Sequence, residues 1–83
     1  MKAISEHTQA ILTRDVPAKD LQAGDLTTVV SVHYTPDGDP AGYTLEIFTF
    51  TGRSLGVVNV EAAAVREAGS TDIPHARTRS ENA

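Results

Sequence analysis

Between Gln9 and Glu67 the chain repeatedly alternates apolar and polar residues with period two, the spacing of half-buried strands. "QAILT" predicts a first short strand over 9–13. "LTTVVSVHY" predicts a long one over 26–34, rich in β-branched residues. Its even positions (Leu26, Thr28, Val30, Val32, Tyr34) carry more apolar side chains than its odd ones, which makes the even face the core face. "YTLEIFTF" over 42–50 turns Tyr43, Leu45 and Ile47 inward, and "SLGVVNV" over 54–60 pairs back on it. "VREA" gives a last short strand over 64–67. Between these lie "VPAKDLQAGD", a loop with room for one helical turn at Ala18 to Leu21, and "TPDGDPAG", a turn built from Pro, Asp and Gly. "EAAA" after Val60 is a second candidate for one helical turn.

The stretch "IFTFTGRSLGVV" breaks the rule that a strand with one wet face is polar on that side. With Gly52 and Arg53 as a two-residue type II′ turn, Phe50 opposes Leu55, Phe48 opposes Val57 and Ile47 opposes Val58. One face of the hairpin is then Tyr43, Leu45, Ile47, Val58 and Val60. The other is Glu46, Phe48, Phe50, Leu55, Val57 and Asn59. The predicted core is Leu12, Leu26, Val30, Val32, Tyr43, Leu45, Ile47, Val58 and Val60. Five short strands in under 70 residues fit an all-β fold, a small antiparallel barrel of the strongly bent, SH3-like type. That domain is expected over residues 1–68. From Gly69 the chain is polar, with little to bury, and reads as a flexible tail over 69–83.

Composition narrows the function classes. The chain has 83 residues, no cysteine and a formal net charge of −4. All of that charge lies before Gly69, where nine acidic residues outnumber five Lys/Arg. An acidic surface repels a phosphate backbone, so sequence-independent nucleic-acid binding is disfavoured. No disulfide or thiolate metal site is available. The apolar runs are far shorter than the roughly 18 residues of a membrane span, and "MKAISEHTQ" has no apolar signal-peptide region. These features lead us to expect a soluble, cytoplasmic protein.

The order of motifs resembles the small bacterial proteins grouped as the domain of unknown function 4926, over about residues 6–67. Leu12-Thr13-Arg14-Asp15-Val16-Pro17 matches that family's first element, an apolar strand ending in Leu-Thr-x-Asp-x-Pro. Leu21-Gln22-Ala23-Gly24-Asp25 with Thr28-Val29-Val30 matches the second, Tyr43-Thr44-Leu45-Glu46-Ile47 the third, and Gly52 the turn. Thr27 departs from the pattern, which has a second Gly there. The resemblance implies an SH3-like barrel. Because some members are encoded beside a small toxin-like partner, it also implies, by association, an antitoxin-like or immunity role.

Candidate chemistry is sparse. Asp37 and Asp39 in "PDGDP" lack the further ligands and closing Glu of a calcium loop and read as a solvated turn. His7, His33 and His75 stand in three separate contexts without metal-ligand spacing. Ser31, Ser54 and Thr28 have no identifiable base. The expectation is therefore a chain without catalytic residues, metal or cofactor. Phe48 and Phe50 could stack bases, but such a site needs a basic groove, and Arg53 is the only cation near them in sequence.

The second apolar face needs a cover. It could be the chain's own residues 4–10, a second copy, or another protein. The last two make the chain a protein-interaction module, with Phe48, Phe50, Leu55 and Val57 at the centre of the contact and Glu46, Arg53 and Asn59 at its rim. The alternative class is an accessory barrel for a small ligand or single-stranded nucleic acid.

Overall fold

The structure, a computed structural model, describes residues 2–78. Five strands run Gln9–Leu12 (β1), Leu26–Tyr34 (β2), Pro40–Phe48 (β3), Ser54–Glu61 (β4) and Val65–Glu67 (β5). They form one antiparallel sheet in the order β4-β3-β2-β1-β5. The only helical pieces among the described residues are 3-10 turns at Pro17–Lys19 and Ala62–Ala64, close to the two places the sequence reserves for them.

The all-β class is as expected, but the barrel is not closed: β4 and β5 are the sheet's two edges and do not pair. The sheet is nevertheless sharply curled. In a flat sheet its edges would stand four strand spacings of about 4.8 Å apart. The three residues of the Ala62–Ala64 turn, at about 2 Å each, span only a third of that. The turn is tied to the end of β1 by Thr13, whose N–H and hydroxyl donate to Ala64 and Ala63 carbonyls at 2.8 and 2.7 Å.

The concave face holds the core: Ile4, Ala10, Leu12, Leu21, Val29, Tyr43, Leu45, Ile47, Val58 and Val65. Five predicted members are buried there, and Val32 and Val60 pack against it partly exposed. Leu26 and Val30 are a correction, because both face outward. The cause is a β-bulge. Val29 pairs with Leu45 and Ser31 with Thr44, which leaves Val30 as an extra residue. An extra residue reverses the alternation. Odd positions Thr27 and Val29 point inward before it, and Val32, opposite Tyr43, points inward after it. Thr27 keeps its buried hydroxyl satisfied by donating to the Ala10 carbonyl at 3.0 Å.

The N-terminal segment also joins the core. Ile4 is buried, and its N–H donates to the Tyr43 hydroxyl at 3.0 Å. Gly42 is required where β3 meets β4. A Cβ there would come within 2.5 Å of the Val60 carbonyl oxygen.

Candidate functional site

The β3–β4 hairpin closes differently from the two-residue turn. Thr49 N–H donates to the Arg53 carbonyl at 2.9 Å, and Gly52 N–H to the Thr49 carbonyl at 3.0 Å. The loop is therefore the three residues Phe50, Thr51 and Gly52. Gly52 lies in the left-handed region at φ 87°, the position that favours glycine in such loops. The Thr49 hydroxyl supports this closure by accepting the Arg53 N–H at 3.1 Å.

The register shifts accordingly. Leu45 opposes Val58, Glu46 opposes Val57, and Phe48 opposes Ser54. The shift is two residues over most of the hairpin, so the predicted sorting of Tyr43, Leu45, Ile47, Val58 and Val60 onto one face survives. The predicted pairs Phe50–Leu55 and Phe48–Val57 do not form. An irregularity between Ile47 and Phe48, with Gly56 at φ 109°, turns Leu55 against the core.

The seven predicted contact residues therefore separate. Phe50 sits at the hairpin tip, 79% exposed; Phe48 is 45% and Val57 57% exposed. Leu55 is half-buried. Glu46 accepts the Ser54 hydroxyl at 2.7 Å, and Asn59 accepts the Thr44 hydroxyl. His33 Nε2 lies 2.7 Å from the same Thr44 oxygen. With the Thr44 proton committed to Asn59, the ring nitrogen is the donor. A polar ladder of His33, Thr44 and Asn59 thus crosses the middle of the convex face, which is not uniformly apolar. Leu26, Phe48 and Phe50 are exposed together at the hairpin end, whereas Val30 and Tyr34 stand exposed further along β2. The N-terminal segment does not cover the hairpin end, because Ile4 is in the core.

At that end lies a cleft of about 820 Å³, within the roughly 300–1,000 Å³ of ligand pockets. Leu26 and Thr28 at the start of β2 line it, together with Phe48, Phe50 and Leu55 from the β3–β4 hairpin. Leu21 and Ile47 reach it from the core, and His75, Arg77 and Thr78 border it from the C-terminal segment. Its lining is mainly apolar.

One ion pair stands at its border. Arg77 donates through Nε to Asp25 Oδ1 at 2.8 Å and through Nη2 to Oδ2 at 2.6 Å, and also to the Asp20 carbonyl at 2.9 Å. Partial burial pushes the Asp25 carboxyl up, but hydrogen bonds from Arg77 and from the Gln22 N–H, with the Arg77 charge, outweigh it and hold the group below its ordinary range. No sequence signal links Arg77 to Asp25, 52 positions apart.

Other candidate chemistry remains scattered. Asp37 and Asp39 flank Gly38 in a turn closed by Gly38 N–H to the Thr35 carbonyl at 2.9 Å. Among the described residues no group of three or more His, Asp or Glu is placed to hold a metal ion, and no helix is long and apolar enough to cross a membrane. Compared with protein-family models, curated proteins and solved structures, the chain matches none.

Proposed function

We propose that the chain is a non-enzymatic protein-interaction module that docks another protein, or a second copy of itself, at the cleft beside Phe48 and Phe50. The carrying observation is that two phenylalanines flank an open apolar cleft while the N-terminal segment, through Ile4, is spent on the core and does not line it. Soluble proteins seldom leave such a patch without a use, and aromatic anchors beside a pocket are what dominates binding energy in protein interfaces. The resemblance to the domain of unknown function 4926 extends the reading to an antitoxin-like or immunity role beside a small partner. A chain without cysteine fits a reducing, cytoplasmic setting.

Phe50→Glu tests the reading. At the exposed tip it should leave stability within about 0.5 kcal/mol of the parent, while placing a charge at the centre of the contact. Sedimentation and co-purification under gentle conditions should show association lost with melting unchanged. Ile47→Glu, on the concave face, should unfold the chain. If Phe50→Glu is folded and associates like the parent, the cleft is not the docking surface.

A second reading, an accessory domain for a small ligand or single-stranded nucleic acid, is favoured by the cleft's size alone. The Arg77 charge that could attract a phosphate is neutralised by Asp25. Absence of oligonucleotide binding at low salt would remove the nucleic-acid form of this reading.

A further inference from the structure

We infer that the C-terminal segment is a strap seated along the cleft in cis, latched by Arg77 on Asp25, and that its release widens access to the Phe48/Phe50 site. The regulatory purpose rests on the interaction reading above; the latch itself does not.

The seat is formed without the tail. Asp25 ends the turn before β2, its carbonyl accepts the Leu12 N–H at 3.0 Å, and its Oδ2 accepts the Gln22 N–H at 2.8 Å. The carboxylate is thus held facing outward by the fold, and a planar guanidinium meets it with two parallel donors, the geometry that makes arginine specific for carboxylates. The tail is also aimed. Arg66 grips Asp72 through two donors at 2.9 and 2.8 Å, and Asp72 accepts the Gly69 N–H at 2.6 Å. This turn redirects the chain after β5, and five residues further on Arg77 reaches its seat.

Between the two anchors the strap buries nothing. Ile73, Pro74, His75 and Ala76 are all exposed. A segment fixed by ion pairs at its ends, with only exposed side chains between, belongs to the least stable part of a fold. It is therefore held closely enough to border the cleft and loosely enough to leave it.

The test uses the full chain. Arg77→Ala lies outside the five strands and should leave thermal melting unchanged. Removing a surface ion pair should shift the docked-to-free ratio by up to roughly fivefold. Backbone NMR relaxation of His75 to Thr78 should then approach that of a free chain end, and binding of the neutral apolar dye Nile red should increase. Phe50→Glu in the Arg77→Ala background should abolish that increase, locating the dye in the cleft. Unchanged tail relaxation or unchanged dye binding in Arg77→Ala would overturn the strap. So would a parent dimer that Arg77→Ala converts to monomer, because the tail would then be seated in trans. If the strap opens as described and no protein ever associates, the latch stands and the interaction module falls.

Discussion

Val29 and Val30 carry the same side chain one position apart and have opposite surroundings. Val29 is fully buried against Leu45, whereas Val30 sits on the bulge, 37% exposed. The same isosteric change at each position therefore has different consequences. Val29→Thr buries a hydroxyl in the core and should cost about 1–3 kcal/mol. Val30→Thr leaves its hydroxyl in water and should stay within about 0.5 kcal/mol of the parent. Chemical denaturation of the two variants checks this, and equal losses would mean that the bulge does not divide the strand at Val30. Thr27 shows how the core tolerates one hydroxyl, by giving it the Ala10 carbonyl as partner.

At the scale of elements, the hairpin depends on the backbone of Gly52. With φ at 87°, an alanine there would bear the left-handed penalty of about 1–2 kcal/mol. Gly52→Ala should lower the urea midpoint by a corresponding amount, and Gly52→Asn should lose less, since asparagine visits that region more readily. The five strands were legible in the sequence because β-branched runs bounded by Gly, Pro and Asp have few other solutions. The register was not, because "TFTGRS" can close as a two-residue loop at Gly52-Arg53 or a three-residue loop at Phe50-Thr51-Gly52, and both keep Tyr43, Leu45 and Ile47 on one face. Leu26 and Val30 were misassigned because alternation shows the phase of a strand and cannot show where an inserted residue reverses it. Phe48 and Phe50 were legible as exposed aromatics. The cleft they border was not, since it is completed by Arg77, whose partner Asp25 is distant in sequence.

At the scale of the molecule, the chain is acidic and its C-terminal segment is held by carboxylates, which sets a pH dependence. The Asp25 carboxyl is held below its ordinary value of about 3.8. Its contribution is thus fully present above that value and is lost as the pH falls through its lowered, folded-state one, while Arg77 stays charged throughout. Asp72 is held down to about 2 by the Arg66 hydrogen bonds and the Gly69 N–H, so the turn it anchors should persist to about that pH. Tail relaxation followed by NMR should stay constant from neutral pH to about 4 and change only below it. Release of His75 to Thr78 between pH 7 and 5 would mean that Asp25 does not hold the segment.

The short β5 strand also decides how the domain bears mechanical load. Ala10 lies opposite Glu67 and Leu12 opposite Val65. The chain therefore enters β1 and leaves β5 at the same end of that ladder. Tension applied from both sides of that ladder first frees the buried Ile4 and the Arg77–Asp25 and Arg66–Asp72 pairs, and then pulls the strands apart from Ala68–Gln9 inward, loading the inter-strand hydrogen bonds one after another instead of all together. With only three residues in β5, the ladder opens after a few such ruptures, the three-residue tether at Ala62–Ala64 is freed from Thr13, and the curl of the sheet loses its restraint. Held in a tethered assembly, this domain would act as a low-force release, yielding from its β5 edge while the β2–β3–β4 meander stays paired.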